Sequence, residues 1–316
     1  MTLPLVSVVV ETITAREDPT TGSLANQLEG ALAALGRQTY PHDSIETIVV
    51  LDPEVDPRTA DELGGGYPSV KVGYSSERNY FAAKNAGAAM ASGSIVALLD
   101  ADCEPAPDWL QRLVSRFETD VAAVAGLTRY AGTSRFPRTF SVPDFSYVLE
   151  DVSGAATGFN INNVAFRRDV LLAHPFETRI RRNGGCYLLY HQLRTDGLRI
   201  IYEPRAVVAH GLDIRGLGFV RKHFNRGYDG VSVYRFDERA VLRGTRLFRR
   251  LGGLALVAFA GRRVLLDWVR LTRQRRQIGI TALALPYFGA VALGTRLIEL
   301  AGGLTAVVHS RAPHER

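Results

Sequence analysis

The sequence predicts an α/β protein: a Rossmann-like, mainly parallel sheet with helices on both faces, followed by a basic, apolar helical tail. Three observations lead there. Short β-branched runs alternate with segments of helical spacing over the first two hundred residues, the order that yields parallel strands joined by crossover helices. Acidic residues sit at or just past the ends of those runs. The charge is also divided. Residues 1–213 carry 19 Lys+Arg against 26 Asp+Glu, a balance of −7, while residues 214–316 carry 19 against 6, a balance of +13 within a total of +6.

Residues 6–10 form a β-branched apolar run that reads as a buried strand. Leu24, Leu28, Leu32 and Leu35 recur at helical spacing, with Thr21 or Ser23 placed to cap the start. Residues 48–51 make a second strand ending at Asp52, and 70–74 a third. An Ala-rich helix over 79–91 closes at the Gly93 turn. A fourth strand, 95–99, runs straight into Asp100-Ala101-Asp102. An amphipathic helix over 106–117 and a strand over 121–124 follow.

The 316-residue chain has 46% hydrophobic and 22% charged residues, which excludes a wholly disordered protein. No solenoid-length repeat is present. The N-terminus has no basic leader or small-residue cleavage site, so no secretory signal is expected. Two cysteines, Cys103 and Cys186, make no disulfide framework and fit a reducing cytoplasm. In the tail, residues 251–261 are apolar, residues 262–276 hold six arginines, and residues 278–295 carry no charge but are interrupted by Pro286. Arginine-flanked apolar helices point to the surface of an anionic membrane rather than to nucleic acid. The blander reading is a buried hairpin with a solvated arginine face.

In doubly wound sheets ligands bind beyond the carboxyl ends of the strands. Glu11, Asp52, Asp100 and Asp102 all fall there. Neither a dinucleotide fingerprint nor a P-loop occurs. Two carboxylates one residue apart at a strand end instead suit a hard cation, Mg²⁺ or Mn²⁺, which neutralises charge on a leaving phosphate. The alternative for such a pair is a simple Asx-turn. His210, at another expected strand end, is either a third metal or diphosphate contact or a structural histidine satisfied within the fold. Lys222 and Arg226, just after the α/β body, are placed to close over a diphosphate; the alternative is a membrane-facing basic helix.

Ala82-Ala83-Lys84-Asn85-Ala86-Gly87, the turn Ser92-Gly93-Ser94 and Ile95-Val96-Ala97-Leu98-Leu99-Asp100-Ala101-Asp102 together resemble the signature of family 2 glycosyltransferases. The strand Val6-Ser7-Val8-Val9-Val10 and the late Tyr202-Glu203-Pro204-Arg205-Ala206-Val207-Val208-Ala209-His210 are similar to theirs as well. The resemblance covers about residues 4–213. It implies a GT-A fold that binds a nucleotide-diphosphate sugar with a divalent metal. By position it implies Asp52 at the base, Asp100 at the nucleoside and Asp102 at the metal. Glu11 stands where the family's first strand meets the nucleotide, although the usual motif reads Glu11-Thr12-Ile13-Thr14 here. Lys84 replaces an arginine and is expected at a phosphate. Asn85 either touches the ligand or bridges within the fold. Residues 158–168 resemble the acceptor-side strand, with Asn162 or Asn163 expected at sugar hydroxyls.

One departure matters. The acidic pair that serves many inverting members as base falls on Gly185-Cys186. Asp144, Glu150 and Asp151 are the substitutes nearest in sequence, with Glu150 and Asp151 preferred. An already ionised acceptor, such as a polyprenyl phosphate, needs no base. The expectation is a metal-assisted, inverting glycosyltransferase. Residues 1–213 form its nucleotide-sugar domain, and residues 214–316 hold it on the cytoplasmic face of the membrane beside a glycan or lipid-linked acceptor. The competing reading is a membrane-tethered nucleotide-sugar binder with little turnover, and a nucleotidyltransferase is weakened by the missing phosphate loop.

Overall fold

The computed structural model describes residues 3–13, 24–67, 69–132, 135–145, 148–151, 153–211, 217–275 and 280–309. The expected caps Thr21 and Ser23 and the expected domain limit near 213 lie outside them. The body contains β1 (Val6–Glu11), α1 (Leu24–Gly36), β2 (Ile45–Leu51), α2 (Pro57–Gly66), β3 (Val70–Tyr74), α3 (Tyr80–Met90) and β4 (Ile95–Asp100). It continues with β5 (Cys103–Pro105), α4 (Trp109–Val114), β6 (Val121–Tyr130), α5 (Arg135–Phe145), β7 (Val164–Arg167), α6 (Arg168–Ala173), α7 (Gly185–Thr195) and β8 (Arg199–His210). The strands form one sheet in the order β3-β2-β1-β4-β7-β6-β8-β5.

Alternation along the strands builds two cores. Val8, Val10, Val49, Leu51, Ala97 and Leu99 face α1 and α4, while Val9, Ile48, Val50, Val96 and Leu98 face α3, α6 and α7. Helices therefore cover both faces, as the pattern of runs predicts. Two strands depart from the expected direction. β7 is antiparallel to both β4 and β6, and β5 is antiparallel to β8, so the sheet is mixed. The amphipathic segment over 106–117 is helical only from Trp109 to Val114, and the strand begun at Val121 runs on to Tyr130.

The connection from β4 to β5 is only Ala101 and Asp102, a span of at most ~10 Å. Because β5 pairs with β8 at the far side of the sheet, the ends of β6 and β8 must curl back over the carboxyl end of β4. A bulge permits this: the register jumps from Gly126↔Glu203 to Leu127↔Val207, leaving Pro204, Arg205 and Ala206 unpaired. Asn163 sutures the bend. Its Oδ1 accepts from Trp109 Nε1 (2.8 Å) and its Nδ2 donates to the Ala206 carbonyl (3.0 Å). A Cβ on Gly126 would stand 2.2 Å from that Oδ1 and 2.4 Å from the same carbonyl, so only glycine fits.

The tail is α8 (Gly218–Phe236), α9 (Arg243–Leu251), α10 (Gly253–Gln274) and α11 (Leu285–His309). Pro286 stands in the first turn of α11, where its missing N–H costs nothing, rather than breaking the apolar run. α8 and α11 cross so closely that a Cβ on Gly227 would lie 1.8 Å from the Glu299 carbonyl oxygen, and one on Gly302 2.0 Å from that of Phe224. A buried ionic chain joins these helices to the body. Arg296 binds Asp267 (2.7 Å), Glu299 (2.7 Å) and the Pro143 carbonyl (2.9 Å), while His223 stands between Glu299 (3.3 Å) and Asp144 (3.6 Å). By length and composition residues 282–309 are apolar enough to cross a membrane, yet Arg296 and Glu299 in their midst are buried against protein.

Candidate metal and nucleotide-sugar site

The carboxyl ends of β1 and β4 are in register, Glu11 beside Asp100, and the curled ends of β6 and β8 bring Tyr130 and His210 to the same place. Register also sets Cys103 of β5 opposite His210. One ligand atom from each of Asp100, Asp102, Cys103 and His210 falls within 4.8 Å of the others. His210 Nδ1 lies 2.6 Å from the Gly211 carbonyl oxygen. A carbonyl only accepts, so Nδ1 carries a hydrogen, and Nε2 is the ring nitrogen that faces Asp102 Oδ2, at 3.5 Å. The Gly211 amide donates to the Asp102 carbonyl oxygen (2.9 Å), holding the two segments together.

These donors fit a divalent cation. Two carboxylates and an imidazole offer oxygen and nitrogen ligands of the kind Mg²⁺ and Mn²⁺ accept. Burial, then the charges of Asp102 and Asp100, push the Cys103 thiol well above its ordinary range, so it stays protonated and offers no thiolate at neutral pH.

Asp100 is held from beneath. Tyr80 Oη donates to it at 3.0 Å, and the ammonium of Lys84 lies 2.6 Å from its Oδ1 and 2.6 Å from the Leu99 carbonyl oxygen. Lys84, expected from the sequence at a phosphate, is completely buried, and in this structure its charge lies inside the fold against Asp100. Asn85 takes the second of its two expected roles, bridging within the fold. Its amide pairs both ways with the backbone of Phe176, Nδ2 to the carbonyl and Oδ1 from the N–H, at 2.9 Å each. Asn162 is buried with Oδ1 accepting from Thr128 (3.0 Å), and Asn163 is wholly engaged in the bend. Glu11 accepts from the Ile13 amide (2.9 Å) at the end of β1. Asp52, at the end of β2, accepts from the Glu54 amide (2.9 Å) with Arg78 Nε 3.4 Å away.

Lys222 and Arg226 do come to this region. Lys222 donates to Tyr130 Oη, which donates to Asp144, and Arg226 reaches Asp144 Oδ1 at 2.6 Å. The Tyr130 and Phe145 rings stand 5.5 and 5.6 Å from the His210 ring. Burial alone would raise the Asp144 carboxyl, but Lys222, Arg226 and His223, with the Tyr130 hydroxyl, outweigh it and hold the group well below the usual carboxylate range. Asp144 is thus a weak proton acceptor.

The structure does not bring Glu150 and Asp151 to the site. Asp151 pairs with Ala155 (2.8 Å), and Ala155 bridges Ile201, opposite Val124 at the start of the β6–β8 ladder. From Val124 to Tyr130 is six residues, ~20 Å of strand. The Asp151 carboxylate caps its own loop, accepting from Ser153 and the Ala155 amide. Where the acidic pair was expected, a Cβ on Gly185 would stand 2.4 Å from Phe81 Cζ. Tyr80 and Tyr130 escaped the sequence reading because a tyrosine at a strand or helix end carries no spacing signal.

Residues 19–172 match the model of Glycosyl transferase family 2. The chain is 28% identical over 210 residues to the glucosyl-dolichyl phosphate glucuronosyltransferase of Haloferax volcanii, covering 60% of this chain and 64% of that protein's length. It is 26% identical over 270 residues to Glycosyltransferase AglE of the same organism, covering 82% of each. In fold it resembles the mannosyltransferase PcManGT from Pyrobaculum calidifontis, solved with GDP-Man and Mn²⁺. That match has a TM-score of 0.67 and 20% identity, over 98% of this chain and 89% of the other. GalNAc-T7, solved with UDP, GalNAc and Mn²⁺, matches with a TM-score of 0.56 and 15% identity, over 74% of this chain and 48% of the other.

Proposed function

The chain belongs to family 2 of the glycosyltransferases and has their GT-A fold, and on that footing we propose that it moves a sugar from a nucleotide-diphosphate sugar to a lipid-linked acceptor at the cytoplasmic face of a membrane. The observation that carries this reading is the meeting of Asp100, Asp102 and His210 at the carboxyl end of β4, with two tail cations, Lys222 and Arg226, alongside. Asp52 and Glu11 line the nucleoside end, and Asp100 is fixed by Tyr80 and Lys84. Asp102 and His210 would hold Mg²⁺ or Mn²⁺, whose charge stabilises the departing diphosphate. Lys222, half-exposed, adds a second positive charge on the same side. The acceptor oxygen attacks the anomeric carbon opposite that leaving group, and the configuration inverts.

The lipid-linked acceptor is supported by the printed name of the glucuronosyltransferase relative and by the tail surface. Leu254, Leu265, Trp268, Leu293 and Leu297 are exposed on α10 and α11, next to an arginine-rich α9, a composition suited to an anionic bilayer surface. The test is release of a nucleoside diphosphate from a panel of UDP-, GDP- and dTDP-sugars with Mn²⁺ or Mg²⁺ and lipid extract. Metal-dependent release lost in Asp102→Asn, with product in the lipid fraction, is expected. Absence of any nucleotide-sugar binding would sink the reading. A low-turnover binder is the second reading, favoured by the ring of Phe81 standing where the family's base would be.

A further inference from the structure

We propose that α10 and α11 form an in-plane membrane anchor, a helical pair that lies along an anionic bilayer with one face in the acyl boundary and does not cross it. The inference rests on the membrane reading above and settles its mode, since an apolar helix of this length can either span a bilayer or lie on it.

α11 is built with its polar groups inward. Arg296 and Glu299 are buried, and Arg296 Nη2 donates to the Pro143 carbonyl of the body. The exposed positions from 287 to 308 recur every three or four residues, and all of them are apolar or aromatic. Tyr287, Leu293, Leu297, Leu304 and Val308 stand in this stripe, with alanines at 290 and 301 between them. The stripe runs for ~32 Å of helix. A core helix of a water-soluble protein is covered on every side, whereas this one leaves a continuous apolar face uncovered.

α10 widens that face. Leu304 lies where a Cβ on Gly253 would stand 3.0 Å from its Cδ2, beside exposed Leu254. At the other end, exposed Trp268 packs over Gly289, a Cβ on which would stand 2.3 Å from Cζ3. The two helices are therefore antiparallel. Trp268 and Tyr287 are amphipathic rings of the kind that settle at head-group level. The border is cationic: Arg243, Arg246, Arg249 and Arg250 are exposed on α9, which joins α10 at Gly252, the end where Leu304 packs. An apolar face edged by arginines complements an anionic leaflet. A second copy of this chain would meet it with cations of its own.

Spanning is what the packing opposes. To cross, α11 would have to carry Arg296 and Glu299 into hydrocarbon and part them from Asp267, His223 and the Pro143 carbonyl. It would also have to leave α8, which it meets closely at Gly227 and Gly302. Lying flat keeps all of these contacts. It also holds α8, the helix that bears Lys222 and Arg226, about 8–10 Å behind the lipid-facing helix.

The chain has two tryptophans, Trp109, fully buried in the body, and Trp268 on the exposed face. The experiment adds full-length protein to phosphatidylcholine vesicles with or without phosphatidylglycerol. It reads Trp268 fluorescence and its quenching by lipids brominated near the head group or near the chain end. Binding at least about tenfold tighter to the anionic vesicles is expected, with the shallow bromine quenching most. Trp268→Phe combined with Leu297→Trp moves the reporter to the middle of α11 and should keep the shallow pattern. Strongest quenching there by the deep bromine would show a span and overturn the in-plane mode alone. Leu293→Gln with Leu297→Gln should weaken vesicle binding at least about tenfold, while metal-dependent nucleotide-sugar binding without vesicles stays within about twofold. Vesicle binding unchanged in that variant, or self-association that buries Trp268 in place of lipid, would also overturn the anchor. No binding of the parent to either vesicle would overturn the membrane reading together with it. A parent that docks on vesicles yet binds no nucleotide sugar would strike the glycosyltransferase reading and leave the anchor supported.

Discussion

Replacing Lys84 by methionine tests the buried support of Asp100. The ammonium is fully buried, its partner carboxylate is 5% exposed, and the pair is 2.6 Å apart. Methionine keeps the apolar stem but leaves Asp100 with only the Tyr80 hydroxyl and strips the Leu99 carbonyl of its donor. Removing one partner of a buried pair costs about 3–5 kcal/mol, a large share of the roughly 5–15 kcal/mol that holds a domain folded. Urea unfolding at neutral pH, without metal, should show that loss. Asp100→Asn added to Lys84→Met removes the stranded charge and should recover at least about 1 kcal/mol, a coupling expected of groups in contact. Metal-dependent nucleotide-sugar binding should weaken in Lys84→Met, since Asp100 is no longer fixed. A loss under about 1 kcal/mol, or single-variant losses that simply add, would show that the lysine is a bystander.

His210→Gln should weaken metal-dependent donor binding at least about tenfold, read by calorimetry with and without Mn²⁺, with the unfolding midpoint little changed. Gly126→Ala forces a Cβ onto the Asn163 side chain and the Ala206 carbonyl and should cost about 1–3 kcal/mol by thermal unfolding. Asp144 is depressed in the folded protein, so its contribution to stability is complete above its unfolded value, near pH 4, and is lost as pH falls further. The stability gap between parent and Asp144→Asn should accordingly be constant from about pH 5 to 7 and shrink below about pH 4; a gap that widens on acidification would contradict this.

Much of the fold was legible because its strands are buried on both faces and read as unbroken apolar runs. β3, though only half-buried, matches its expected limits, and the acidic residues at the ends of β1, β2 and β4 marked the edge of the sheet at which the candidate metal cluster lies. What escaped was non-local. The reversed β7 and the three-residue β5 have no pattern long enough to give direction, and the bulge at Pro204–Ala206 shows only against a partner strand. Lys84 reads from its motif as a phosphate contact, and only the packing of its helix against β4 shows it under Asp100. Asp229 lies 46 positions beyond Asn183, whose amide donates to it, and only the crossing of α8 over Gly184 makes them neighbours.

The Phe81 ring against Gly185 constrains how this turn can change. An acidic side chain at Gly185 would collide with an aromatic group that itself packs on Tyr80 and Phe176, while trimming Phe81 first would open a cavity costing about 3–5 kcal/mol. Each single step is therefore penalised, and only the two together make room for a carboxylate. Engineers seeking to change this chain's acceptor preference face the same penalties and should vary positions 81 and 185 as a pair.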